Sequence, residues 1–281
     1  MSSLNASKIC ASNFSYFRFP LTRFLDDVVS LDVNVVELWG AAPHLYVDDA
    51  TSADLRAIKN EIAQRGLKLA CFTPEQCIYP INIAAIENVI RERSVDYFYK
   101  CLDVTAELDA PYLFLTSGWG YADEDPAESW KRSVDSIARI ARHAEERGVV
   151  MVLEALQPCE SNIVIDSDGV KRMIDTINSP SLKAALDTVG MAVAGETPKD
   201  YTAKFGRDLL HAHFIDGEPA GHSAWGEGNL PLKQYLQELI EGDYQGYLSF
   251  EFLGPRYWLD PIAPVRKSVD AIRSALKELG R

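Results

Sequence analysis

Short runs of β-branched and apolar residues alternate with segments whose apolar positions recur every three or four residues, and this alternation continues along all 281 residues. Runs of the first kind predict strands, and segments of the second predict helices that pack one face on a sheet. Eight strands are expected, at 8–12, 34–38, 67–72, 112–116, 149–154, 182–187, 209–215 and 247–251. The clearest helix is 126–147, where Trp130, Val134, Ile137, Ala141 and Ala144 form one apolar stripe. Asp125-Pro126 supplies its start and Gly148 its stop. Leu232, Tyr235, Leu236, Leu239 and Ile240 repeat the pattern, as do Val265, Val269, Ile272 and Leu276. Stripes of this kind are core.

No Pro/Gly/Ser-rich linker, low-complexity tract or charge block interrupts the series, so one domain spanning 1–281 is expected. Eight right-handed βα units that close on themselves make an α/β fold of the (β/α)8 TIM-barrel type, for which about 250 residues is typical. The competing doubly wound sheet would carry a GxGxxG turn after its first strand, and this sequence has none there.

Composition narrows the partners. Apolar residues make up 47% and charged residues 25% of the chain, as in globular domains with a sizeable core. The 41 acidic against 28 basic residues leave a net charge of −13, a field that repels nucleic-acid phosphates and anionic lipid surfaces. A small-molecule ligand is therefore expected, with neither nucleic acid nor membrane. The first residues carry no apolar stretch of the secretory type, and no run approaches the ~18 residues of a bilayer span, so a cytoplasmic location is expected. Five cysteines (Cys10, Cys71, Cys77, Cys101, Cys159) form no CxxC pair, which predicts reduced thiols and no structural zinc.

In a barrel the reactive groups stand at the C-terminal ends of strands and in the loops that follow. Four polar residues occupy such ends in consecutive units: Glu154, Asp187, His213 and Glu251. Any one of them alone would read as a helix cap or a satisfied core residue. Four in phase on one rim predict a divalent-metal set. Three carboxylates and an imidazole suit an open, oxygen-rich site, with Mn²⁺ expected first and Mg²⁺, Co²⁺ or Zn²⁺ as alternatives. His211 and His213 face the same side of a strand, and the later one, nearer the rim, is taken as ligand.

This series, together with His211-Ala212-His213-Phe214-Ile215-Asp216 and Trp225-Gly226-Glu227-Gly228, resembles the xylose-isomerase-like sugar isomerase/epimerase superfamily over essentially the full length. Narrower segments look most like the fructoselysine 3-epimerases. They are Glu37-Leu38-Trp39-Gly40 with Pro43-His44, Thr73-Pro74-Glu75 with Tyr79-Pro80, and Leu153-Glu154 through Pro158 to Glu160-Ser161-Asn162. The resemblance implies a Mn²⁺-dependent C3 epimerisation of a ketose or ketosamine. In it, Glu154 and Glu251 serve both as metal ligands and as an acid/base pair, and Asp187 and His213 complete the metal set.

Two departures separate the chain from the related free-ketose 3-epimerases. Those enzymes carry a histidine three residues after the sixth-strand aspartate, where this chain has Gly190. They also carry an arginine shortly after the metal histidine, where this chain has Gly217-Glu218-Pro219. Glu160 does match the polar position six residues beyond the fifth-strand glutamate.

Further substrate contacts are expected from Glu37, Trp39 and His44 after the second strand, from Trp119 after the fourth, and from Glu227 after the seventh. A homo-oligomer is expected. Aldose–ketose isomerisation through an enediol, and a metal-dependent lyase acting on 3-oxo-glycosides, use the same residues and remain open. An abasic-site nuclease of the endonuclease IV type conflicts with the net charge and the few histidines.

Overall fold

The computed structural model describes residues 4–76 and 80–281. Cys77 and Tyr79 lie outside the described residues. The strands are β1 (Ile9–Ser12), β2 (Val35–Gly40), β3 (Lys68–Pro74), β4 (Tyr112–Leu115), β5 (Val150–Leu153), β6 (Leu182–Asp187), β7 (Leu209–His213) and β8 (Tyr247–Phe250). Each pairs in parallel with the next, and β1 pairs with β8, so the sheet closes into an eight-stranded barrel. The helices are α1 (Leu21–Ser30), α2 (Ser52–Gln64), α3 (Asn88–Glu107), α4 (Pro126–Arg147), α5 (Ser167–Ile177), α6 (Thr188–Val193), α7 (Pro198–Phe205), α8 (Leu232–Glu241) and α9 (Ile262–Glu278). The chain is a (β/α)8 TIM barrel.

Local chemistry sets the helix ends. Asp125 caps α4 by accepting a hydrogen bond from the Ala127 amide at 2.9 Å, Pro126 takes the first turn, and Gly148 ends the helix with φ at +67°. Such a cap is worth about 1 kcal/mol. The stripe read from the sequence faces the sheet: Ile137, Ala141 and Ala144 are buried, with Trp130 and Val134 packed beside them.

Among the described residues, the buried apolar ones form one large cluster and two small ones. The large one fills the space between strands and helices. Inside the barrel Cys71, Phe114, Val152 and Ala185 form a small separate cluster. Side chains two residues apart on a strand share a face. Above Cys71, Val152 and Ala185 therefore stand Thr73, Glu154 and Asp187, and the barrel interior turns polar towards its C-terminal end. Among the described residues no helix is long and apolar enough to cross a membrane.

The strand limits differ from the expected ones by a few residues, with one consequence for the site. β5 ends at Leu153 and β8 at Phe250, so Glu154 and Glu251 open the loops that follow. β2 instead continues to Gly40, which leaves Glu37 inside the barrel and below the rim.

Candidate active site

Glu154, Asp187, His213 and Glu251 converge at the C-terminal mouth. The His213 Nδ1 atom lies 3.3 Å from Glu154 Oε1 and 3.3 Å from Glu251 Oε2. One ligand atom each from Glu154, Asp187 and His213 falls within 4.8 Å of the others, and Asp187, His222 and Glu251 form a second such group. Asp187 divides its two oxygens between structure and cavity. Oδ1 caps α6 by accepting from the Val189 and Gly190 amides at 2.7 Å each, whereas Oδ2 has no hydrogen-bond partner.

Glu37 determines which nitrogen of His213 faces that cluster. Its carboxylate accepts from His211 Nε2 at 2.7 Å and from His213 Nε2 at 3.0 Å, and the Thr73 hydroxyl donates to it as well. With Nε2 committed, His213 turns Nδ1 towards Glu154 and Glu251, and Phe114 stacks on the ring with centroids 4.3 Å apart. The arrangement is a carboxylate–histidine pair of the kind that fixes tautomer and orientation for a metal.

The electrostatics follow from this crowding. Burial pushes the Glu154 carboxyl well above the usual range, and Asp187 and Glu251 add to the rise. Burial raises Asp187 as well. For Glu37 burial works in the same direction, but the His213 and His211 imidazoles outweigh it and hold the carboxyl well below its ordinary value. His213 is pushed well above its ordinary value against the effect of burial, chiefly by Glu251 and Glu37.

Glu154 Oε1, Asp187 Oδ2 and His213 Nδ1 are thus buried polar atoms with no hydrogen-bond partner. A divalent cation satisfies all three at once, so the donor set fits one. Hard carboxylate oxygens with a single imidazole favour Mn²⁺, Mg²⁺ or Co²⁺ over a thiolate-loving ion.

A cavity of about 590 Å³ opens above this floor. Trp39, Trp119 and Glu160 line it, together with Glu154, Asp187 and Glu251. Burial raises the Glu160 carboxyl, whose Oε2 accepts from the Gln157 amide at 3.1 Å.

Three expected contacts lie elsewhere. Glu37 sits beneath the floor, because β2 continues past it. His44 joins loops outside the cavity: Nδ1 accepts from Asn13 at 2.7 Å and Nε2 donates to the Phe19 carbonyl at 2.7 Å. Burial accordingly lowers its pKa. Its contribution to the wall is indirect, since Asn13 also bonds the Trp39 amide at 2.6 Å. Glu227 points away, bonded to the Tyr257 hydroxyl and to Lys267 at 3.2 Å. Its loop is held from below by Asp216, whose carboxylate accepts from the amides of Gly226, Gly228 and Leu230 at 2.9–3.0 Å.

Among the cavity residues not singled out in the sequence are His222 and Gln76. His222 lies on the hairpin formed by the Asp216–Ser223 bridge, with Nε2 3.4 Å from Glu251 Oε2 and 3.9 Å from Asp187 Oδ2. It brings an imidazole to a stretch of wall that includes Gly190, where a Cβ would meet the Ala155 carbonyl oxygen at 3.0 Å. Gln76 joins β3 to β4, its amide donating to Phe114 O at 3.1 Å and accepting from the Thr116 amide at 2.7 Å. Neither position follows a strand-end rule. The only sequence signal for His222 is a histidine in a Gly-rich loop shortly after His213.

Residues 25–275 match the Xylose isomerase-like TIM barrel family. The chain belongs to that family. Among relatives within it and beyond, the chain is 27% identical to the fructoselysine 3-epimerase of Escherichia coli O157:H7 over 263 residues, covering 93% of this chain and 95% of the relative. It is 24% identical to the D-psicose 3-epimerase of Agrobacterium fabrum, covering 81% and 78%. Among solved structures, an L-ribulose 3-epimerase superposes with a TM-score of 0.82 at 19% identity, covering 98% of this chain and 97% of that one. At that identity the likeness speaks for the barrel fold alone.

Glu37→Gln removes the charge that orients His213 and leaves a neutral amide in its place. Metal affinity measured by isothermal titration calorimetry is expected to fall about 10- to 100-fold, the usual effect of losing such a partner. An unchanged affinity would show that His213 is held without Glu37.

Proposed function

We propose that this member of the Xylose isomerase-like TIM barrel family inverts C3 of a ketosamine or ketose, of the fructoselysine type, with Glu154 and Glu251 as the acid/base pair. One observation carries the reading: two carboxylates just past the ends of β5 and β8 meet over the same imidazole nitrogen, at 3.3 Å each, on the floor of a cavity large enough for a substituted sugar. The fructoselysine and psicose 3-epimerases among the relatives support the substrate class.

The chemistry requires a proton to leave C3 and to return from the other face. C3 lies next to the C2 carbonyl, so removing its proton gives an enediolate, and stabilising that charge is the larger part of the task. A divalent cation, Mn²⁺ in our reading, would be held by Glu154, Asp187, His213 and Glu251, and when bound it polarises the C2 carbonyl and neutralises the developing charge. Glu154 and Glu251 exchange the proton with C3 from opposite sides, each acting as base for one epimer and as acid for the other. Asp187 is held in place by the α6 amides and His213 by Glu37. His222 and Glu160 bind sugar hydroxyls from the wall, and Trp39 and Trp119 cover its apolar faces.

The test is NMR in D₂O with Mn²⁺-loaded protein, using fructoselysine, D-fructose and D-psicose separately. Replacement of the C3 proton by deuterium with appearance of the epimer is the expected result. Exchange at C1 instead would make the protein an aldose–ketose isomerase. No exchange at carbon would redirect the search to 3-oxo-glycosides.

A further inference from the structure

Beside the main cavity lies a second one of about 280 Å³, and Trp119 and Gly120 belong to the walls of both. This shared wall is fixed in place. Asn82 holds it by donating to the Trp119 carbonyl at 2.9 Å and accepting from the Trp119 amide at 3.1 Å. The second cavity is lined by apolar side chains, among them Ile81, Ala85, Ile86 and Ile90, and by three charged residues, Glu87, Arg93 and Glu124.

Those charges are available. Glu87 accepts from the Tyr121 hydroxyl at 2.8 Å, and Arg93 donates to the Pro80 carbonyl at 2.8 Å. Among the described residues neither takes part in an ion pair, whereas Glu124, the third charged residue of the lining, is neutralised by Arg132 at 2.6 Å. The cavity therefore offers apolar walls together with one carboxylate and one guanidinium that are free of ion pairs. Its ligand complement is an alkyl chain that ends in an ammonium and a carboxylate, the head group of an amino acid.

We propose that this second cavity is the subsite for the amino-acid arm of a ketosamine. The sugar sits over Glu154 and Glu251, the alkyl arm crosses Trp119, and the α-ammonium and α-carboxylate pair with Glu87 and Arg93. This rests on the epimerase reading and adds the part of the substrate that separates a ketosamine from a free ketose. The main cavity is consistent with it, since about 590 Å³ lies in the range of drug-sized ligands and exceeds what one hexose requires.

The experiment compares the Mn²⁺-loaded wild type with Glu87→Gln, Arg93→Gln and the double variant, all at exposed positions where folding is not at stake. Kinetics are measured on fructoselysine and on D-psicose, and binding of Nε-acetyl-L-lysine is followed by calorimetry. This probe keeps the arm and its zwitterion and lacks the sugar. In the double variant KM for fructoselysine is expected to rise about tenfold with kcat unchanged, the scale of two charged hydrogen bonds at a partly exposed site. KM for D-psicose stays at the wild-type value, and Nε-acetyl-L-lysine binding disappears.

An unchanged fructoselysine KM, or an equal rise for both sugars, overturns the proposal. So does a shift in sedimentation with unaltered kinetics, which would assign this face to a second copy of the chain. If the wild type turns over neither sugar but binds Nε-acetyl-L-lysine through Glu87 and Arg93, the amino-acid subsite stands and the epimerase reading falls. An active epimerase that shows no arm-dependent KM and no Nε-acetyl-L-lysine binding refutes the subsite alone.

Discussion

Glu154→Gln and Glu251→Gln are each expected to lower kcat for C3 epimerisation by about 10³-fold or more. A general acid or base contributes roughly 10²–10⁴ to rate, and in the proposed function the same carboxylate also belongs to the donor set of a cation. The substitution keeps the shape of the side chain and removes its charge and basicity, so a folding defect is not expected. Two measurements separate the roles. Metal content by elemental analysis reports the ligand, and deuterium exchange at C3 reports proton transfer. A variant that retains metal and still exchanges deuterium without forming the epimer has lost one face of the reaction. Activity above about a tenth of wild type in either variant would remove that residue from proton transfer, because a loss that small is below the range for general acid–base catalysis.

Removing the divalent ion with a chelator is expected to abolish turnover and lower the melting temperature, with Mn²⁺ restoring both. At a metal concentration about 1,000 times Kd, binding stabilises the fold by ~4 kcal/mol, which in a chain of this size corresponds to roughly 8 °C. The gain should depend on pH with a definite sign. Glu154, Asp187 and His213 all have raised pKa values, so the metal-free protein holds protons there to higher pH than free side chains would. Those protons contribute stability at low pH that is lost as pH rises through the raised values. The cation takes their place, so its stabilisation is smaller in acid and grows towards neutral pH. Differential scanning calorimetry with and without Mn²⁺ at several pH values checks this. A metal-induced gain that shrinks with rising pH would contradict the donor set.

The fold was legible because its signals are local. A strand or an amphipathic helix is written in residues a few positions apart, and α4 shows how completely: Asp125, Pro126, the apolar stripe and Gly148 all act as their sequence pattern implies. The convergence of Glu154, Asp187, His213 and Glu251 was also readable, since closing eight similar units brings equivalent strand ends to one rim whatever the details of packing.

The depth of a residue below that rim depends on where a strand stops, and a strand stops where its neighbours do. Glu37 was expected at the cavity wall. It lies under the floor because β2 continues through Gly40 alongside β3, and there it orients His211 and His213. Glu227 and His44 were displaced for a related reason: each found partners on a different loop, Tyr257 and Lys267 for one, Asn13 and Phe19 for the other. His222 reached the site by the opposite route, carried inward by the Asp216–Ser223 hairpin. The sequence by itself determined the barrel, its order and the four groups at its mouth, because these follow from a repeating local pattern. Only the tertiary structure decided which loop residues enter the cavity, which nitrogen of His213 faces Glu154 and Glu251, and that a second cavity adjoins the first. These depend on contacts between segments far apart in the chain, which no local pattern encodes.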